Sequence, residues 1–252
     1  SVIVKNSQKI NSGDTHLVYS KKFIHCYRDN NEEIFEKASN FYVNCVKAYG
    51  IDNVVLLTPW RNKGTLCVNE FNKHLHERLN SKKSDELTVN INNVEFRIGD
   101  KVMQTKNNYD MVYSRENGED GMGIFNGDMG IIESISVRDK CMNIVFDEDK
   151  LVEYPFTNLD ELDLAYAITV HKSQGSEFPI VIMPVCSFSP MLMSRNLFYT
   201  AVTRARDMVV LVGSEKTIQN MTINNQFHQR FSGLTEKLVA VKKFVAEKEE
   251  NS

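Results

Sequence analysis

Residues 164–185 read LAYAITVHKSQGSEFPIVIMPV, in which a run of polar residues separates two apolar runs. The first apolar run, residues 165–170, can form a short buried helix or strand, and Gly175 can end it because glycine accepts a positive φ at little cost. The second run, residues 180–185, predicts a buried strand opened by a proline. This pattern predicts an α/β sheet with the polar segment 171–177 at its edge, and open α/β sheets bind ligands at the carboxyl ends of their strands.

The flanking sequence repeats the order strand, polar turn and helix, which is typical of an α/β domain. The clearest helix is predicted between the capping residues 29–31 and Gly50, because its apolar residues fall on one stripe. A strand at 53–57 then leads through a polar turn to a second amphipathic helix at 65–79. The remaining predicted elements are β-type runs at 1–4 and 17–19, a helix at 194–206, a buried strand at 208–213, a helix capped by Ser214 and a final charged helix at 235–250.

The character of the sequence changes between residues 94 and 159. Helical periodicity fades there, short β runs appear, and glycine and asparagine cluster. The pair Asn126-Gly127 is a strong tight-turn signal, and the composition predicts a small antiparallel barrel inserted into the α/β domain. The alternative is a β-hairpin extension without a core of its own.

The bulk composition is that of an ordinary globular protein, with 252 residues, 42% of them hydrophobic and 25% charged. The formal net charge of −3 excludes a uniformly basic nucleic-acid binder but leaves room for a local basic groove. Five scattered cysteines without a CxxC pair favour a reducing compartment and argue against a structural zinc site, so no metal site is expected in this chain. No apolar run reaches the roughly 18 residues of a membrane span, and we expect a cytoplasmic protein.

A second informative stretch, residues 196–213, reads NLFYTAVTRARDMVVLVG. The spaced strings HKSQGSEF and YTAVTRAR resemble motifs of superfamily 1 DNA helicases, in the C-terminal motor domain of the UvrD/Rep type, and look like the RecD-type branch. The resemblance implies a RecA-like parallel sheet, the P-loop NTPase-like second motor domain, interrupted by an SH3-like barrel. It predicts a motor domain (2A) at 1–93 and 160–252 with the inserted barrel (2B) at 94–159.

Arg204 is the candidate catalytic residue. On a helix through residues 197–206, a step of roughly 100° per residue places Arg204 and Arg206 roughly 160° apart, so only one of them can face a given site. The resemblance assigns Arg204 to the γ-phosphate of an ATP bound mainly to the other motor domain. Its planar, permanently charged guanidinium suits the charge of a phosphoryl transition state. The alternative is a helix-surface arginine in a salt bridge.

Three residues of the first string are candidates for nucleotide contact. The resemblance assigns Glu177 to the ribose hydroxyls of ATP, and a carboxylate can accept hydrogen bonds from two neighbouring hydroxyls. Gln174 and Gly175 are similar to residues that line the same interface, where a glycine allows close approach of the backbone. For Glu177 the alternative is an unpartnered residue at the edge of a strand.

Five residues are candidates for contact with single-stranded DNA. The resemblance assigns contact with DNA phosphates to the start of the first string and the residues just before it, namely Thr169, His171, Lys172 and Ser173. It assigns a further phosphate contact to Thr58, after the strand at 53–57. A core or capping role for His171 stays open.

The sequence contains no GxxxxGK[ST] phosphate loop and no acidic motif of the helicase kind for Mg²⁺. We therefore expect the C-terminal half of an ATP-dependent helicase, moving 5′-to-3′ on single-stranded DNA, which completes the ATP site of an N-terminal motor domain that holds the metal. Alone, the chain is expected to be inactive as an ATPase. Its expected partners are single-stranded DNA, that N-terminal domain and the subunits of a DNA-repair or exonuclease complex, with no membrane. The competing hypothesis is a nucleic-acid-binding or protein-interaction module without motor activity.

Overall fold

A computed structural model of the chain describes residues 1–83, 87–91, 94–186 and 192–225. The helices in this part are α1 (Val2–Ser12), α2 (Asn31–Tyr49), α3 (Val68–Leu79), α4 (Arg195–Val202) and α5 (Glu215–Ile223). The strands are β1 (Phe23–Cys26), β2 (Val54–Thr58), β3 (Thr88–Ile91), β4 (Val94–Arg97), β5 (Lys101–Gln104), β6 (Asn108–Ser114), β7 (Asp120–Ile124), β8 (Met129–Ser136), β9 (Cys141–Phe146), β10 (Lys150–Pro155), β11 (Leu162–Leu164), β12 (Ala167–Thr169), β13 (Phe178–Val185) and β14 (Ala205–Gly213). The predicted charged helix at 235–250 lies outside the described residues.

A parallel sheet forms the larger half of the molecule, with the strand order β1-β14-β13-β2-β12. Its strands are buried on both faces, which explains their nearly continuous apolar sequences. Val54 and Leu56 pack on the side of α2 and α3, whereas Val55 and Leu57 pack on the side of α1 and α4, as the period of two requires. The predicted RecA-like α/β sheet is confirmed.

Local signals position the helices on the first face. The Asn30 side chain accepts the Glu33 amide at 2.8 Å and starts α2, and Gly50 ends the helix with a φ of 88°. Ile34 and Tyr42 from the apolar stripe of α2 are buried against the sheet. The sequence therefore placed α2 correctly at both ends.

The amino-terminal prediction was wrong, because residues 2–12 form helix α1 and not a strand. Ser1 caps this helix, and Ile3 and Ile10, two turns apart, are buried against the sheet. Asn6 fixes the following loop through two hydrogen bonds of 2.8 Å with the backbone of Val18. These tertiary contacts override the β propensity of the sequence VIV, and the strand of this region is β1 instead.

The inserted region forms a second, antiparallel sheet with the order β11-β5-β8-β9-β10-β6-β7. It is curled into a half-barrel around buried residues such as Ile144, Val152 and Tyr154. The Asn126-Gly127 turn is present, with a φ of 104° at Gly127, and it connects β7 to β8, which are not neighbours in the sheet. Seven strands exclude a single β-hairpin extension, while a core separate from that of the parallel sheet and the boundaries at 94 and 159 stay predictions.

Two buried charges join this half-barrel to the parallel sheet. Lys101 of β5 donates to the carbonyl oxygens of Ile51 and Val54 at 3.0 and 3.1 Å, and burial lowers the pKa of its ammonium to about 8. The neighbouring Asp100 carboxylate accepts the Tyr166 hydroxyl at 2.8 Å and the Arg97 amide at 2.8 Å. Because buried polar groups are costly unless paired, these bonds fix the insertion against the sheet.

All five cysteines are free thiols, and four of them are buried. No helix in the described ranges has both the length and the apolar character needed to cross a membrane.

Candidate functional site

The parallel topology distributes the polar segment over both ends of the sheet. Thr169 ends β12 and pairs with Thr58 at the carboxyl end of β2. Phe178 begins β13 and pairs with Ala205 at the amino end of β14. The connection 170–177 thus runs from one end of the sheet to the other, so the expectation that the polar segment lies along a single edge is wrong.

Arg204 lies in a turn at the amino end of the sheet and not on a helix. Helix α4 ends at Val202, and β14 begins at Ala205, so the prediction of one helix through residue 206 was wrong. The Thr203 hydroxyl donates back to the carbonyl oxygen of Tyr199 at 2.9 Å, which closes the helix. Arg204 and Arg206 therefore do not lie on opposite flanks of one helix, as was predicted.

The two arginines nevertheless have different surroundings. Arg204 is half-buried and donates from Nη1 to the carbonyl oxygen of Ser176 at 3.0 Å. Its Nε is buried, and within the described ranges this atom has no hydrogen-bond partner. Arg206 is exposed and pairs with its neighbour Asp207 at 3.1 Å. A buried guanidinium nitrogen without an acceptor is costly, and this cost distinguishes Arg204 from the exposed, paired Arg206.

The other predicted nucleotide contacts surround Arg204 or lead to it. Glu177 is exposed and directly follows Ser176, whose carbonyl oxygen holds Arg204. Gln174 and Gly175 are also exposed, and Gly175 has a φ of 94°, which requires glycine. A Cβ added to Gly175 would meet no described atom within 4 Å, so close approach inside this chain does not explain the glycine.

Two of the predicted DNA contacts are buried at the carboxyl end. The Thr58 hydroxyl donates to the carbonyl oxygen of Leu66 at 2.6 Å, and the Ser173 hydroxyl donates to that of Val170 at 2.7 Å. Both residues have an exposed fraction of 0%. Their hydroxyls hold the loops in place, and direct contact with a phosphate stays a prediction that would require these loops to open.

The other three predicted contacts reach the surface together. His171 is exposed, and Thr169 and Lys172 are half-buried, with the Thr169 hydroxyl accepting the Lys172 amide at 3.3 Å. Burial lowers the pKa of the Lys172 ammonium, opposed by the Asp163 carboxylate and reinforced by the Arg61 guanidinium. These three side chains are placed where a polyanion could reach them.

A cavity of about 720 Å³ opens beside these residues, between α3, the β3–β4 hairpin and β11. Its mouth contains Thr169 and Lys172 together with Arg61 and Asp163, which sequence reasoning missed. Arg61 could have been found, because it lies in the predicted polar turn after β2. Asp163 could not, because 102 residues separate it from Arg61 and only the fold brings the two together.

Two models of known protein families match parts of this chain. A UvrD-like helicase C-terminal domain matches residues 164–212, which include both strings of the site. An ATP-dependent RecD-like DNA helicase SH3 domain matches residues 71–146, which include most of the half-barrel.

Individual proteins that are similar to this chain are named as RecD-type proteins. The chain is 36% identical over 187 residues to the ATP-dependent RecD2 DNA helicase of Deinococcus radiodurans, covering 74% of this chain and 24% of that protein. It is 25% identical over 214 residues to the RecBCD enzyme subunit RecD of Buchnera aphidicola subsp. Schizaphis graminum, covering 79% and 34%. The chain thus spans between 24% and 34% of the length of these relatives. The crystal structure of a Pif1 helicase from Bacteroides with ADP-AlF3 and ssDNA has a TM-score of 0.49 and 16% identity, covering 96% of this chain and 54% of that one.

Proposed function

We propose that this chain forms the second motor domain of an ATP-dependent DNA helicase. The proposal starts from the family, because the chain belongs to the C-terminal region of RecD-like superfamily 1 helicases. An N-terminal motor domain of the same protein would be its partner. The observation that carries the proposal is the connection 170–177, which links Thr169 and Lys172 at one end of the sheet to Glu177 and Arg204 at the other.

Arg204 and Glu177 would face ATP held by the N-terminal domain. The half-buried guanidinium, with a buried Nε that lacks a partner among the described residues, fits an anionic phosphate as its missing acceptor. Arg204 would stabilise negative charge on the phosphoryl group, and Glu177 would accept hydrogen bonds from ribose hydroxyls. Gln174 and Gly175 would line the same interface. Bound ATP with Mg²⁺ would supply the phosphoryl transfer, and the N-terminal domain would hold the metal.

Thr169, His171 and Lys172 would hold phosphates of single-stranded DNA at the other end of the sheet. Lys172 offers a charge and Thr169 a hydroxyl, and neither contact depends on the base sequence. Closure of the cleft on ATP would move the connection 170–177 and with it the DNA contacts, which would couple hydrolysis to stepping in the 5′-to-3′ direction. The RecBCD name of some relatives adds subunits of a DNA-repair complex as further proposed partners.

The proposal is tested by measuring DNA-stimulated ATP hydrolysis and strand displacement with the full-length protein and with the present chain alone. We expect activity only in the full-length protein, and only on duplexes with a 5′ single-stranded tail. Matched duplexes with a 3′ tail are the control for direction. DNA binding without ATP-driven strand displacement would favour a binding module without motor activity.

A further inference from the structure

Three charged side chains meet at the mouth of the 720 Å³ cavity. Arg61 Nη2 donates to Asp163 Oδ2 at 2.8 Å, and Lys172 Nζ lies 4.0 Å from the same oxygen. Arg61 follows β2 of the parallel sheet and Lys172 follows β12, whereas Asp163 belongs to β11 of the half-barrel. One carboxylate oxygen of the half-barrel therefore lies between two cations that follow strands of the parallel sheet.

We propose that Arg61 and Lys172 form one phosphate-binding position for single-stranded DNA, and that the Asp163 carboxylate occupies this position until a phosphate displaces it. This inference rests on the proposed function of the carboxyl end of the sheet. It adds Arg61 as a contact and assigns Asp163 as a competing anion.

The spacing of the Arg61 and Lys172 cations suits a phosphate better than the Asp163 carboxylate. Asp163 forms a hydrogen bond with Arg61, but 4.0 Å from Lys172 is longer than a hydrogen bond. A phosphodiester shares its negative charge between two non-bridging oxygens, and a bound strand can place one of these oxygens on each cation. The side chains of Arg61, Asp163 and Lys172 are 54%, 30% and 27% exposed, so a ligand can reach all three.

Arg97, another basic group of the cavity, does not offer the same position. Arg97 is 3% exposed and is bound to the carboxylates of Glu77 and Glu95 at 2.6 and 2.9 Å. The amino terminus of α3 is also closed, because the amides of its first two residues donate to the carbonyl oxygens of Trp60 and Arg61 at 2.9 and 3.0 Å. Side chains at the mouth, and not the helix terminus, must therefore hold the phosphate.

The test is the affinity of the full-length protein for a fluorescently labelled oligothymidylate at low salt. Asp163→Asn keeps the shape of the side chain and removes its charge, so we expect binding to tighten by about threefold to tenfold. Arg61→Ala should weaken binding. In the Arg61→Ala background the gain from Asp163→Asn should fall below about twofold, because the two residues act at one position.

Asp160→Asn is the matched control. Asp160 lines the same cavity and its substitution changes the charge equally, but its partner is Lys106 of the insertion, at 2.5 Å. We expect less than about a twofold change from this variant, since only the general field of the protein is altered. Thermal unfolding of every variant checks that the fold is retained.

The outcomes separate this inference from the proposed function. If the wild type binds and Lys172→Ala weakens binding, but Asp163→Asn binds no tighter than Asp160→Asn, the displacement of Asp163 is wrong and the DNA site stands. If the wild type shows no salt-sensitive binding of single-stranded DNA, both the displacement of Asp163 and the proposed DNA site are overturned.

Discussion

The two ends of the parallel sheet differ in how their polar and charged side chains are paired inside the protein. At the amino end, Arg204 has a buried Nε that lacks a partner within the described ranges, and the adjacent Glu177 is exposed. At the carboxyl end, the Thr58 and Ser173 hydroxyls donate to backbone carbonyl oxygens, and Asp163 pairs with Arg61 and lies 4.0 Å from Lys172. A polar group without a hydrogen-bond partner contributes its full interaction energy to ligand binding. A group that is already paired must first lose its partner inside the protein. The first arrangement suits a site completed by another domain, and the second suits a site whose ligand binds and leaves repeatedly.

The largest effect is expected at the amino end, from Arg204→Ala in the full-length protein. Loss of a guanidinium that stabilises the transition state should slow ATP hydrolysis by about 10³ to 10⁵, as for other arginine fingers, while DNA binding survives. Arg206→Ala is the matched control, because this neighbouring arginine is exposed and pairs with Asp207. Steady-state ATPase assays decide the matter, and equal losses from the two substitutions would show that the wrong arginine has been assigned to the nucleotide.

Arg204 also illustrates what the sequence could and could not predict. The α4 signal was strong, with Ser194 as cap and a buried face, and the string TRAR looked like its continuation. The helix stops at Val202 because the Arg204 carbonyl oxygen accepts the Phe178 amide at 2.8 Å, which draws this residue into the sheet. Phe178 is far away in the sequence, so local propensity could not reveal this competition.

Predictions succeeded where a local signal and burial agree. Helix α2 has a capping asparagine, an apolar stripe and a terminal glycine, and all three act as expected. The buried strand β13 was found in the same way. Internal use of the Thr58 hydroxyl could not be foreseen, because its acceptor, the carbonyl oxygen of Leu66, depends on the path of a loop.

The next largest effect concerns the support of the carboxyl end. Asp100 is fully buried. Its carboxylate accepts hydrogen bonds from the hydroxyl of Tyr166, one residue before β12, and from the side-chain amide of Asn80, the latter at 2.6 Å. Asp100→Ala leaves these donors without an acceptor and should lower the free energy of unfolding by about 3 kcal/mol, measured by urea titration. Asp110→Ala, at an exposed position of β6, is the control and should cost less than about 0.5 kcal/mol. A similar loss from both variants would refute a specific role for the buried network.

A smaller effect is expected from Lys172→Ala on DNA binding. Loss of one phosphate contact should weaken binding of single strands about tenfold at low salt and reduce the slope of log affinity against log salt by about 0.7. Arg206→Ala, a cation at the opposite end of the sheet, should leave the slope unchanged. Fluorescence anisotropy over a range of salt concentrations measures both, and an unchanged slope in Lys172→Ala would remove this lysine from the DNA site.

The smallest expected effect tests whether the connection 170–177 couples DNA binding at one end of the sheet to ATP hydrolysis at the other. Gly175 and Gly127 have φ values of 94° and 104°, and a Cβ at either would meet no described atom within 4 Å. Substitution by alanine should therefore destabilise the protein through backbone strain alone, by about 1 to 2 kcal/mol in each case. Only Gly175 lies in the connection between the proposed DNA contact Lys172 and the proposed ribose contact Glu177, so Gly175→Ala should also reduce the stimulation of ATP hydrolysis by DNA several-fold, while Gly127→Ala should not. Equal stimulation in the two variants, at equal loss of stability, would mean that the ends of the sheet communicate by a route other than the connection 170–177.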